Sequence, residues 1–199
     1  LADFTFWLLN GFWHILDFSG YDHMLFIAAL TGLYGLNEWK KLVILISSFT
    51  IGHSITLLLS VLEVVQLAPN LVEMLIPVTI MATCYQNIYP LAERPTDHFS
   101  PNYFLALGFG FIHGMGFSTQ LKMLLGRSEH IAFELLSFNL GIETAQLFIV
   151  FIVLLLKWLI TKNAGINTKN LNSIISIAVF ALALLMLAQR LYFFYNSNE

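Results

Sequence analysis

Charge is what this chain has least of. Lys, Arg, Asp and Glu supply 11% of its 199 residues, against 58% hydrophobic ones, and they leave a net charge of −3. That balance excludes a nucleic-acid partner. A single cysteine, Cys84, excludes an internal disulfide and any metal site built on several thiolates. No linker or low-complexity stretch divides the sequence, so residues 1–199 read as one domain. So little charge, with a mean hydropathy of +0.77, also excludes an ordinary soluble fold. The lipid bilayer is the solvent to which this chain is matched.

What is present instead is a series of long apolar runs. Crossing about 30 Å of hydrocarbon takes about 20 helical residues, and Leu42–Val64, Leu71–Ala92, Tyr103–Leu125, Ala132–Leu159 and Leu171–Tyr195 each reach that length. The runs are solid rather than alternating, and a helix satisfies its own backbone in lipid. The expected fold class is therefore all-α, a polytopic membrane helix bundle rather than a barrel. The region Phe4–Leu36 is harder, because Asp17, Gly20, Asp22 and His23 interrupt it. It reads as a short helix, a break at Asp17–Gly20 and a second helix from near Asp22. Three arrangements follow: an interfacial helix before a short span, a re-entrant pair, or one discontinuous span. The first is adopted here, a short dipping or interfacial helix followed by a true span, for about six transmembrane helices in all.

Loop charges set the orientation. With Leu36 on the cytoplasmic side, Lys40, Lys41, Arg94, Lys157, Lys162 and Lys169 fall in cytoplasmic loops, leaving Arg127 and Arg190, with Lys122 nearby, opposite. The positive-inside rule then places both termini outside the cytoplasm. Nothing basic precedes Phe4–Leu16, which does not read as a secretory signal. Trp7, Trp13, Trp39, Trp158 and the terminal tyrosines read as interfacial anchors, and Glu63, Glu73 and Glu93 as solvated span ends.

Cations are also missing at mid-span. His53, His113 and Glu143 sit deep in apolar runs with no Lys or Arg beside them. A charge at that depth costs on the order of 2.5–3.5 kcal/mol on insertion scales and is normally met by a partner. A metal ion, a proton or a charged imidazole can play that part, and the imidazole-plus-carboxylate set fits a metal best. Asp22 and His23 open the second helix, although Asp22 also stands three residues after Ser19, the spacing of a capping box. Thr50, His53 and Ser54 share one helical face. Gly110 and Gly114 bracket His113 in Gly108-Phe-Gly-Phe-Ile-His113-Gly-Met-Gly116, a small-xxx-small pattern that lets helices approach closely. Asn139, Glu143 and Gln146 recur at i, i+4 and i+7 as a polar stripe.

The expectation is that Asp22, His23, His53, His113 and Glu143 converge on one internal metal site, supported by His14, Asn139, Gln146, Gln86 and Asn87. Without thiolates, such a set suits nickel, cobalt or zinc. The same residues also suit an intramembrane zinc hydrolase acting on a lipid or lipid-like substrate. There Glu143 would activate a metal-bound water, with Ser54 or Asn139 at the oxyanion. Internal repetition is faint. Phe49-Thr-Ile-Gly-His53 and Phe109-Gly-Phe-Ile-His113 each put an aromatic one turn before a histidine, but their surroundings do not align.

Four motifs in order, His14-Ile-Leu-Asp-Phe-Ser-Gly-Tyr-Asp22-His23, Phe49-Thr-Ile-Gly-His53-Ser-Ile-Thr, Phe111-Ile-His113-Gly-Met-Gly-Phe and Phe138-Asn-Leu-Gly-Ile-Glu143, resemble the HupE/UreJ family from about Gly11 to Gln146. The resemblance implies a small bacterial inner-membrane permease for nickel or cobalt. It also implies association with hydrogenase and urease maturation, with maturation proteins or further copies of the chain as partners. Two departures stand out. Seven residues separate His14 from Asp22 where the family has five, and Gln86-Asn87 stands where relatives carry Glu-Asn.

Overall fold

The computed structural model describes residues 2–32, 34–89, 101–126 and 130–196. Arg94, Arg127, Pro90 and Glu93 lie outside them, as does the side chain of Ser19. Among the described residues seven α-helices follow one another: α1 (Ala2–Leu16), α2 (Asp22–Gly32), α3 (Trp39–Val61), α4 (Pro69–Ile88), α5 (Pro101–Leu125), α6 (Ile131–Ala164) and α7 (Thr168–Asn196). The protein is an all-α polytopic membrane helix bundle. Of the described helices, α3, α4, α6 and α7 are long and apolar enough to cross a membrane. α5 has the length, but its apolar run is diluted by Gly108, Gly110, Gly114, Gly116, His113 and Gln120.

The amino-terminal region breaks where the sequence places the break, with a single 3-10 turn at Phe18–Gly20 between α1 and α2. α2 has 11 residues, roughly 16 Å of helix, about half of what a lone span needs. α1 packs lengthwise on α6 and runs the same way: Phe4 meets Phe133, and Phe12 meets Phe148. α2 continues in that direction, because its last turn reaches Lys157 near the far end of α6. Together the two short helices cover the distance of one span, the discontinuous form, which corrects the expected interfacial helix followed by a separate span, since the 11 residues of α2 are too few to cross alone.

The remaining directions follow from side-chain pairs. α3 and α5 are parallel, with Gly52 beside Phe111 and Glu63 beside Lys122. α4 and α7 are antiparallel, since Asn87 bonds Ser176 at one end and Arg190 pairs with Glu73 at the other. α1, α2, α4 and α6 thus run one way, and α3, α5 and α7 the other. One end of the bundle, the terminal end, holds the first turn of α1 and the last turn of α7. The other, the lysine end, collects Lys40, Lys41, Lys162 and Lys169.

Two expectations fail for one reason, that a single residue's type says little about which face of a helix it occupies. Lys157 is not in a loop. It is buried within α6 and donates to the backbone oxygens of Thr31 (2.8 Å) and Tyr34 (3.2 Å). Carbonyls of a helix's last turn have no partner in the helix and carry partial negative charge, which an ammonium group complements. Trp7, read as an interfacial anchor, is buried in the core, whereas Trp13, Trp39 and Trp158 are exposed.

Candidate functional site

Four helices bring four histidines together. His14 comes from the last turn of α1, His23 from the first turn of α2, His53 from α3 and His113 from α5. The His14 and His23 rings stand 4.9 Å apart by centroid, His23 and His113 5.4 Å, His23 and His53 6.0 Å, and His14 and His53 6.2 Å. His53 is completely buried and His113 nearly so. Close helix approach makes this possible. A Cβ on Gly110 would collide with the Phe49 carbonyl, and one on Gly114 with the His53 carbonyl and the Thr56 hydroxyl, so only glycine lets α5 lie against α3 here.

Each ring has a distinct neighbour. His113 Nδ1 lies 3.0 Å from the Phe109 carbonyl; with that oxygen accepting an N–H, the lone pair belongs to Nε2. Asp22 Oδ1 lies 2.9 Å from His23 Nδ1 and accepts the His23 backbone N–H at 2.8 Å, so the carboxylate caps its own helix and faces the adjacent imidazole. Beyond that pair, His14 Nε2, His23 Nε2, His113 Nε2 and both nitrogens of His53 are buried with no hydrogen-bond partner. An unpartnered buried polar group costs roughly 1–3 kcal/mol. A single shared ligand could meet one nitrogen of each ring, four of the five. The rings are gathered rather than clamped: among the described residues, no three His, Cys, Asp or Glu side chains already stand in an arrangement that could hold a metal ion.

Aromatic rings close the cluster on both sides. Phe26, Phe49 and Phe109 each stand one helical turn toward the lysine end from His23, His53 and His113; Phe26 lies 4.8 Å from Phe49 and 5.9 Å from Phe109. Toward the terminal end, Phe117 and Phe138 stack at 5.5 Å, and His14 lies 3.8 Å from Phe117. A cavity of about 480 Å³ reaches His14 beside the break, lined by Asn10, Trp13, Leu16, Asp17, Phe18, Phe117 and Gln120.

The other candidate residues stand in separate groups. Glu143 accepts a hydrogen bond from the Ser47 hydroxyl at 2.6 Å, and Gln146 one from Thr50 at 2.8 Å, so this part of the α6 stripe faces α3. Asn139 is half-buried on the same helix, its Oδ1 buried without a partner. Ser54 donates back to the Thr50 carbonyl of its own helix. Asn87 ties three helices at the lysine end, donating to the Ala29 carbonyl at 2.8 Å and to Ser176 at 3.0 Å, while Gln86 is half-buried on α4. His14 carried the weakest signal in the sequence, a lone histidine at a span end, yet its ring stands among the other three. The cue was the break after it, which turns a helix end inward.

A family model described as "HupE / UreJ protein" matches residues 1–196. No curated protein and no solved structure matches the chain.

Proposed function

Because the chain belongs to the HupE/UreJ family, we propose that it carries a late first-row divalent ion, nickel or cobalt before zinc, across the bacterial inner membrane. The observation that supports this most is the set of five unpartnered imidazole nitrogens gathered at one depth. Neutral imidazoles are ligands of intermediate softness for these ions, and the absence of thiolates disfavours copper(I). His14, His23, His53 and His113 bind the ion, and Asp22 orients His23 and balances charge. Glu143, with Ser47 on the lysine side of His53, offsets the ion's lost hydration as it leaves in that direction. A cluster that gathers ligands without clamping them suits a cargo, since conduction requires an ion to leave as well as enter. The lysine end faces the cytoplasm in this reading, where nickel-enzyme maturation proteins receive the ion.

Proteoliposomes enclosing a metal-sensitive dye test the proposal. Nickel uptake is expected to fall by about 10- to 100-fold in His53→Ala, His113→Ala and Glu143→Gln, the range seen when support of a metal ligand is removed. Glu63→Gln, at an exposed residue 3.5 Å from the Lys122 ammonium group, should stay near the parent rate. Folded, metal-loaded protein without flux under any imposed gradient would overturn the transport reading and direct attention to hydrolysis of lipid esters and amides.

A further inference from the structure

The helix pairs α1·α6 and α3·α5 are built alike. A Cβ on Gly11 would strike the carbonyl of Phe138 and approach the N–H of Ile142; one on Gly141 would meet the carbonyl of Leu8 and the N–H of Phe12. In the other pair, Gly52 faces the carbonyl of Leu107 and the N–H of Phe111, and Gly110 the carbonyl of Phe49 and the N–H of His53. One rule describes all four contacts. Each glycine sits between the carbonyl three residues before the partner's glycine and the N–H one residue after it. Close parallel crossings of this kind are a known packing class, but two in identical register within one chain are not required by packing.

The sequence repeats along with the geometry. Gly11-Phe-Trp-His14-Ile-Leu-Asp-Phe18-Ser19 matches Gly110-Phe-Ile-His113-Gly-Met-Gly-Phe117-Ser118, and Ser48-Phe49-Thr-Ile-Gly52 matches Ser137-Phe138-Asn-Leu-Gly141. Hence α1 corresponds to α5 and α3 to α6, each pair pointing opposite ways. Exchanging them maps the α1·α6 crossing onto α5·α3 and the antiparallel α4·α7 pair onto itself. The order of elements agrees. The unit α1–α2, α3, α4 crosses the bundle three times, and an odd number of crossings delivers the next copy upside down. The likeness of the Phe49–His53 and Phe109–His113 segments, noticed in the sequence, therefore joins packing partners rather than corresponding helices.

We propose that this protein is two inverted copies of a three-span unit, residues 2–88 and 101–196, and that exchange of their conformations opens the histidine cluster alternately to the two ends. The aromatic layers support it: Phe49 on the lysine side and Phe138 on the terminal side occupy corresponding positions, with His14 and His113, also corresponding, between them. Trp13 and Asn10 line the cavity that reaches His14, whereas the corresponding Ile112 and Phe109 pack against the core. Ion sites at the interface of inverted repeats, beside a discontinuous helix, are a recurrent design among carriers. The functional half of the proposal rests on the transport reading above.

The test uses the full chain in proteoliposomes with Cys84→Ser, and Trp13→Cys or Ile112→Cys as corresponding reporters. Their reaction with a membrane-impermeant maleimide is followed without metal. With both gates intact, Trp13→Cys should react and Ile112→Cys should resist. Phe49→Ala should raise the Ile112→Cys rate and lower the Trp13→Cys rate, each by about fivefold or more, within the usual range of coupling between sites. Phe138→Ala should not produce that reversal. Both reporters reacting together, or one changing while the other stays constant, would overturn the exchange. Should the gate variants fail to fold, spin labels at Lys40 and Lys162 in the gate-intact chain are expected to give two distance populations, and a single population would overturn it equally. Reciprocal labelling with no nickel flux would sink the transport reading alone; flux with non-reciprocal labelling would sink the exchange alone.

Discussion

His113 illustrates how a buried ring is prepared for a ligand. With its Nδ1 facing the Phe109 carbonyl one turn back in the same helix, the proton is held there and Nε2 presents its lone pair to the cluster. The sequence placed His113, His53 and the Asp22–His23 pair at suitable depths, because imidazoles and carboxylates are conspicuous in apolar runs. It did not reveal which of these side chains share a point in space. Glu143 shows the limit: its stripe neighbours Asn139 and Gln146, four residues before and three after, were visible, whereas its partner, Ser47, is 96 residues away and belongs to another helix. A histidine binds metal only when neutral, and the reference imidazole pKa is about 6.5. Protons and metal compete for the ring nitrogens, so nickel affinity measured by titration is expected to weaken once the medium is acid enough to protonate the buried rings. Affinity that stays constant down to the pH at which the protein unfolds would remove the histidines from the ligand set.

Helices turn single residues into geometry, and two tests isolate this. On α5, a Cβ at Gly108 would touch nothing within 4 Å, whereas at Gly110 it would press into the Phe49 carbonyl. Gly108→Ala should leave thermal stability in detergent unchanged or raised, and Gly110→Ala should lower stability by about 1–3 kcal/mol, the usual cost of overpacking. Equal effects would mean that α3 and α5 do not cross where described. On α6, Lys157 holds the Thr31 carbonyl in the last turn of α2 and the Tyr34 carbonyl just beyond it. Lys157→Met keeps the apolar stem but leaves two backbone oxygens without this donor, at a cost of roughly 1–3 kcal/mol. Amide exchange in α2 should accelerate, while that in α7 should change only with global unfolding. The break between α1 and α2 was legible from Asp17 and Gly20. The burial of Lys157 was not, because its setting in the sequence is that of any cation near the end of a span.

For the bundle as a whole, composition decided the class, and the apolar runs located the long helices to within a few residues. The count of spans was less secure. α5 owes its modest hydropathy to the glycines and polar groups that bring it into the histidine cluster, so the residues that build the cluster obscured the helix that carries them. The inverted relation was harder still to see. It is written in a few scattered positions, Gly11 with Gly110 and Gly52 with Gly141, whose equivalence emerges only when the partner backbone that each glycine touches is known.

The discontinuity of α1–α2, set against an unbroken α5, has a kinetic meaning. Two identical halves would give two equivalent faces and equal barriers for passage through either. In the proposed carrier the broken helix would make the faces inequivalent, and the ion would wait longer behind one than behind the other. Such an inequality changes how fast each direction saturates, but microscopic reversibility forbids it from altering where the concentrations settle. In the proposed carrier, net accumulation would then come from a gradient or from capture of the ion on the receiving side, and the fold would determine only which side is the faster to load.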